Sequence, residues 1–334
     1  MLLPDSPRLA VRCLDLYPAQ TVVARSMRAI FRALLSISLP AGLPRQVLRI
    51  AQGDPLLSVL GNLTATPPGE VPEFGVLAGN PAHDSQRFII LVFDKLGRPV
   101  LVVKLGASGR AKELIAEEVR FLESVPEGTP GIPRVRDQFT SSYWRCFAMN
   151  YFQGGSPARE GEVRIPELLT GWLDRTQTIR LGDCADWIAL SQAPEASGLL
   201  QRLAPGVRER TFHPAIQHGD FAPWNIKVSR EGNWMALDWE RGRLRGIPAW
   251  DWFHYVVQTA VLVQRKPTTV LIEMIDQLLA SSAFKTYADA AGFAGIEREL
   301  LLGYLLHCIH VIRQAEGLPQ IRRLSEAAFQ RWRS

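Results

Sequence analysis

The segment His218-Gly219-Asp220-Phe221-Ala222-Pro223-Trp224-Asn225 places an aspartate five residues ahead of an asparagine. Thirteen residues beyond Asn225 stands Asp238, in Leu237-Asp238-Trp239-Glu240. Asp220 is a carboxylate able to accept a proton from a hydroxyl. Asn225 and Asp238 offer oxygens of the kind Mg²⁺ takes, with water and phosphate oxygens completing its octahedron. Phosphoryl transfer from a nucleotide asks for those parts: a base that orients the attacking hydroxyl, and metal-bridged phosphates whose developing charge is neutralised. An Asp and an Asn at this spacing recur by chance. His-Gly before them, Pro223 between them and a later Asp make the combination specific.

Those residues need elements to position them. Residues 226–229 and 234–237 alternate about Arg230-Glu231-Gly232-Asn233, which predicts a hairpin returning Asp238 to the neighbourhood of Asn225. Further upstream, Phe74–Ala78, Arg87–Phe93 and 99–105 read as strands, with a turn at 95–98 between the last two. A helix is predicted over 110–124 and another strand over 144–151, which ends at Gly154-Gly155-Ser156-Pro157. Lys104 closes an apolar strand, where a buried ammonium needs a carboxylate. Glu117 and Glu118 follow 13 and 14 residues later, on the predicted helix. The remainder reads as mainly helical. Asp251 precedes the apolar run 252–263 and suits its N-cap.

Composition narrows the class. The 334 residues are 47% apolar and 21% charged, which excludes disorder and leaves material for a large core. The longest continuous apolar run is 88–93, far short of a membrane span, and the first residues lack the pattern of a signal peptide. Cys13, Cys146, Cys184 and Cys308 form no C-x-x-C pair, so no disulfide framework or zinc ribbon is indicated. A soluble, cytoplasmic chain is expected. Of the formal charge of +5, residues 1–64 carry +4, so the body is nearly neutral and lacks the basic groove that nucleic acid would need. Residues 20–38 read as a basic amphipathic helix, for which packing on the parent domain is the commoner use and peripheral membrane contact the rarer one.

On Asp220, Asn225, Asp238, Lys104 and Glu118 the chain resembles the aminoglycoside phosphotransferase/choline kinase-like family, over about 74–252. The resemblance implies an α+β, bilobal, protein-kinase-like fold. A basic, partly helical extension (1–73) would precede a β-rich nucleotide-binding lobe (74–150) and a mainly helical catalytic and acceptor-binding lobe (151–334). It also implies an ATP- and Mg²⁺-dependent phosphotransferase acting on a small-molecule hydroxyl, with GTP as an open alternative donor. Asp220 matches the catalytic base, and Asn225 and Asp238 the metal ligands. Lys104 matches the phosphate-binding lysine, and Glu118 fits its partner better than Glu117. Backbone groups near Asn150 and Phe152 would meet adenine, and Asp251 and His218 would brace the loop.

The nucleotide-covering turn 79–86 carries a single glycine where many relatives carry several, with Asn80 and Ser85 as substitutes. Arg241, Arg243 and Arg245 follow the Asp-Trp-Glu motif. Their alternation points them to one side, for a carboxylate, phosphate or sugar acceptor, or else they form a solvated loop. The C-terminal lobe has no acidic excess, so a sugar or other neutral or anionic alcohol is expected ahead of a polycationic aminoglycoside. The second reading is a catalytically weak or inactive relative that uses the extension to dock a partner. His307 and His310 read as core or rim histidines.

Overall fold

Arg87–Phe93 (β2) is apolar on both faces, as a strand covered on both sides must be. Phe74–Ala78 (β1) and Pro99–Gly106 (β3) flank it, and Asp137–Thr140 (β4) and Arg145–Asn150 (β5) complete an antiparallel sheet in the order β1-β2-β3-β5-β4. The short edge strand β4 has exposed polar residues and gave no apolar alternation to find in the sequence. The computed structural model describes residues 1–17, 22–37, 53–67, 70–79, 85–158, 164–201, 203, 205–313 and 317–332. The chain divides into two compact units: Met1–Glu123 with Pro133–Gln153, and Ser124–Ile132 with Gly154–Ser334.

In the first unit the two faces of the sheet are covered by residues that precede it. Pro55–Thr64 packs Leu60 and Leu63 against Ile90, Val92, Leu101 and Val103, whereas Pro7–Cys13 packs Leu9 and Cys13 against Leu91 and Phe93. Leu2 pairs with Val76 through two backbone bonds of 2.7 and 2.8 Å. The helices Pro7–Cys13 and Pro55–Thr64 thus pack into this unit, with their apolar residues on the sheet. Val22–Ser36 leaves Val23, Met27 and Ile30 exposed, while Arg28 donates to the Tyr17 carbonyl and Arg32 pairs with Asp15. No helix among the described residues is long and apolar enough to cross a membrane.

The second unit is mainly helical, as its sequence texture predicts. Ala215–Gln217 pairs with Arg243–Gly246, and Ile226–Val228 pairs with Trp234–Ala236 in the expected hairpin. Trp250–Gln258 (α1) and Glu297–His307 (α2) pack together, and each runs on into a π-helical turn, Thr259–Val263 and Cys308–Ile312. From Leu300 to His307 every residue of α2 is buried, as for a helix apolar all round. All four cysteines are free and buried, and burial pushes each thiol up to about 12, which makes them packing residues.

Candidate active site

The chain leaves Ala215–Gln217 at His218, and the next two peptides are held from below. Asp251, buried in the first turn of α1, accepts the His218 N–H on Oδ2 at 2.6 Å and the Gly219 N–H on Oδ1 at 3.0 Å. The helix starts at Trp250 with Ala249 at its cap, so Asp251 sits inside the helix and does not cap it, contrary to the N-cap reading. Burial pushes its carboxyl up to about 6, against the two N–H groups that favour the ionised form. The His218 ring accepts the Asp220 N–H on Nδ1 at 3.2 Å and donates from Nε2 to the Leu237 carbonyl at 2.7 Å. That pattern requires the neutral imidazole, and burial holds its pKa down at about 4. Gly219 has φ +77°, and a Cβ there would stand 2.9 Å from the Arg241 Cβ, so both conformation and space call for glycine.

The hairpin does what its spacing predicts. The Leu237 N–H bonds the Asn225 carbonyl at 2.7 Å, one step beyond the Ala236–Ile226 pair, so Asp238 leaves the ladder beside Asn225. Asn225 Nδ2 donates to the Asp220 carbonyl at 2.8 Å and to Asp220 Oδ2 at 3.0 Å, which commits the amide nitrogen and leaves Oδ1 as its ligand atom. Asp238 holds φ +72°, a left-handed conformation that costs a non-glycine residue about 1 kcal/mol and is typical of a constrained functional position. Among the described residues no three His, Cys, Asp or Glu side chains gather as a metal cage. One amide oxygen and one carboxylate instead suit Mg²⁺, which keeps several waters and is commonly completed by phosphate oxygens. Burial raises the Asp220 carboxyl, but the His254 hydrogen bond, with the electrostatic pull of His254 and Arg241, outweighs it and holds the group below its ordinary value.

Aromatic rings floor this loop. Trp172 meets Phe221 at 5.5 Å and Trp239 at 5.1 Å between ring centres, and Trp239 lies 4.4 Å from His218. The indole N–H groups of Trp172 and Trp239 are satisfied by the carbonyls of Pro130 and Ala236. Phe221 and Trp239, unremarked as sequence signals, are thus the packing that fixes the loop and the residue after Asp238.

A cavity of about 410 Å³ in the same unit is lined by Gly219, Arg241, Arg243, Asp186, Gln258 and His307, among others. Arg243 Nη2 lies 3.0 Å from Asp186 Oδ1, and His307 Nε2 lies 3.5 Å from it without forming a hydrogen bond. Burial raises the Asp186 carboxyl, while His307 and Arg243 prevail and hold it below its usual range. Gln258 Oε1 is buried without a hydrogen-bond partner. The pairing of Arg243–Gly246 with Ala215–Gln217 is irregular between Arg243 and Gly246, so simple alternation breaks. Arg241 and Arg243 line the cavity, whereas Arg245 does not and instead acts electrostatically on Asp174.

In the first unit, Lys104 Nζ meets Glu118 Oε1 at 2.6 Å, both side chains buried. Glu117 points outward and lies 3.6 Å from Arg110. The separation follows from the helix Gly109–Ser124, on which consecutive residues diverge by about 100°. Asn150 ends β5 opposite Leu101, and Phe152 follows it, half-buried. Asn80 lies outside the described residues.

Sequence reasoning missed His254 and Tyr304. His254 Nε2 stands 3.0 Å from Asp220 Oδ1, and the Tyr304 hydroxyl 3.2 Å from His254 Nδ1. His254 follows Asp251 by three residues, one helical turn, which is the signal that places both on one face. Tyr304 had none, since it arrives from a helix 50 residues away. His310 pairs with Glu195 at 3.1 Å.

The sequence matches no family model and no curated protein. Among solved structures the chain is similar to a thermostable mutant of aminoglycoside phosphotransferase APH(4)-Ia in ternary complex with ADP and hygromycin B, with 14% identity, TM-score 0.48, and 82% of this chain and 98% of that one covered. It is also similar to aminoglycoside phosphotransferase APH(3'')-Id from Streptomyces rimosus, with 16% identity, TM-score 0.42, and coverage of 76% and 97%. A provisionally assigned fructosamine-3-kinase from Haemophilus somnus gives 12%, 0.46, and 82% and 96%. Likeness at these levels carries no conclusion about activity, which rests on the residues themselves.

Proposed function

We propose that the chain is a Mg²⁺-dependent phosphotransferase that moves the γ-phosphoryl group of ATP to a hydroxyl of a small molecule. The observation that carries this reading is the Asp220–Asn225 bond next to Asp238. It joins a proton-accepting carboxylate to one metal-type oxygen in one short loop, with the hairpin returning Asp238 beside them and the Asn225 nitrogen already committed to Asp220. Asp220 orients the acceptor hydroxyl and takes its proton. Asn225 and Asp238 are the residues to hold Mg²⁺, which when bound neutralises charge on the phosphate oxygens. Lys104, fixed by Glu118, is assigned to the nucleotide phosphates, and the backbone near Asn150 and Phe152 to adenine. The acceptor is a sugar or another neutral or anionic alcohol. Of the carboxylates that line the cavity, Asp186 is paired with Arg243, Asp251 is committed to the His218 and Gly219 N–H groups, and Glu240 shares the lining with Arg241, which disfavours a polycationic acceptor.

A thermal-shift titration with ATP tests the reading. Stabilisation that requires Mg²⁺ and vanishes in Asp238→Ala supports it. No shift at millimolar nucleotide, with no ATP consumed across a panel of sugars and amino alcohols, would contradict it and favour a binding module.

A further inference from the structure

Asp220 is gripped on both carboxylate oxygens. Asn225 Nδ2 reaches Oδ2 at 3.0 Å, and His254 Nε2 stands 3.0 Å from Oδ1. The first contact is internal to the loop. The second comes from α1, one turn past Asp251, and a base-plus-metal loop does not of itself require it. The Asp220 side chain is 30% exposed and that of His254 only 8%, and His254 and Tyr304 both border the cavity that Gly219 and Arg241 line.

The imidazole is itself held. Tyr304 meets it edge-on, with ring centres 6.0 Å apart at 78°, and sets its hydroxyl 3.2 Å from Nδ1. Burial drives the Tyr304 phenol well above its ordinary value, so it keeps its proton. Every residue of its helix from Leu300 to His307 is buried, which denies the ring another position. An ionised carboxylate only accepts hydrogen bonds, so His254 Nε2 must carry a proton, and Nδ1 then faces the phenol.

We infer that His254 is a positioning residue for Asp220, and that Tyr304 positions His254. This rests on reading Asp220 as the group that receives the acceptor's proton. A carboxylate anchored through one oxygen still turns about its side-chain torsions. Anchored through both, it presents a fixed lone pair to the hydroxyl, and such orientation is a large part of what an active site contributes to rate. His254 borders the cavity, yet in this scheme it acts through Asp220, which it holds by the 3.0 Å contact to Oδ1.

The test joins steady-state kinetics of the full chain to ¹⁵N NMR of its histidine rings. His254→Ala is expected to lower kcat about 10- to 100-fold, the worth of a hydrogen bond to a charged group, with KM for ATP and acceptor within about twofold. His254→Gln, whose amide nitrogen can take the place of Nε2, regains most of that loss, and Tyr304→Phe falls between. The wild-type ring shows Nε2 protonated, and Asp220→Asn shifts that resonance. A kcat within about twofold of wild type in His254→Ala, a loss confined to the KM for ATP, or a bare Nε2 would each overturn the inference. If the wild type consumes no ATP with any hydroxyl compound, the phosphotransfer reading fails, and the NMR arm alone decides whether His254 holds Asp220. Should His254→Ala not fold, the comparison of His254→Gln with Tyr304→Phe carries the kinetic arm.

Discussion

Asp251 Oδ2 accepts the backbone N–H of His218 at 2.6 Å, from the first turn of a different element, and its other oxygen takes the N–H of the next residue. One buried carboxylate thereby fixes the two peptides immediately ahead of Asp220. Asp251→Asn replaces one acceptor oxygen with an NH₂ that opposes a donor. A stability loss of about 1–3 kcal/mol in urea unfolding is expected, together with at least about a tenfold fall in kcat. An unchanged kcat in a folded Asp251→Asn would show that the loop does not depend on this clamp.

Lys104 and Glu118 form a buried pair, and removing one member strands the other. Lys104→Met is expected to cost about 3–5 kcal/mol and to raise the KM for ATP, whereas Glu117→Gln, on the exposed side, should change stability by no more than about 0.5 kcal/mol. Denaturant melts of the two variants, side by side, check the assignment of the partner.

Much of this was legible in the sequence. The Asp220–Asn225–Asp238 spacing, the hairpin about Gly232 and the strand lysine with its helix glutamate are local patterns, and periodicity fixes which residues face each other. Other features were not. His254 and Tyr304 meet only because two helices pack, and Arg245 departs from Arg243 because of an irregular strand pairing. The basic charge of the first 64 residues drew attention to an extension, while Leu9, Cys13, Leu60 and Leu63 were the informative residues, since they cover the sheet.

The buried neutral ring of His218 makes stability depend on pH. Its pKa falls from 6.5 to about 4 on folding, so between those values the unfolded chain binds the extra proton. Its contribution is complete above pH 6.5 and is lost as pH falls toward 4, on the order of 3 kcal/mol. Asp251, raised to about 6, acts in the opposite sense: its carboxyl binds more protons folded than unfolded, so its contribution falls as pH rises from 3.8 to 6. Unfolding free energies of wild type and His218→Asn at several pH values separate the two. Relative to wild type, the variant should gain stability as pH falls from 6.5 toward 4, and an identical slope in both would contradict the neutral-ring assignment.

Arg243→Ala leaves Asp186 buried beside the cavity without its guanidinium partner. Relative activity should move toward amine-bearing acceptors and away from neutral sugars, with the KM for ATP unchanged. A panel of matched sugars and amino sugars, run on both proteins, measures that ratio. An unaltered ratio would remove Arg243 from the acceptor site.

The central claim is that Asp220 takes the acceptor's proton in a Mg²⁺-dependent transfer from ATP. It is tested most directly by following ADP formation across a library of hydroxyl compounds with wild type and Asp220→Asn in parallel. The account predicts acceptor-stimulated, Mg²⁺-dependent ADP formation by the wild type, reduced at least about a thousandfold in Asp220→Asn while Mg²⁺–ATP still raises the melting temperature of that variant. Equal turnover in the two proteins, or turnover that ignores the acceptor and the metal, would contradict it.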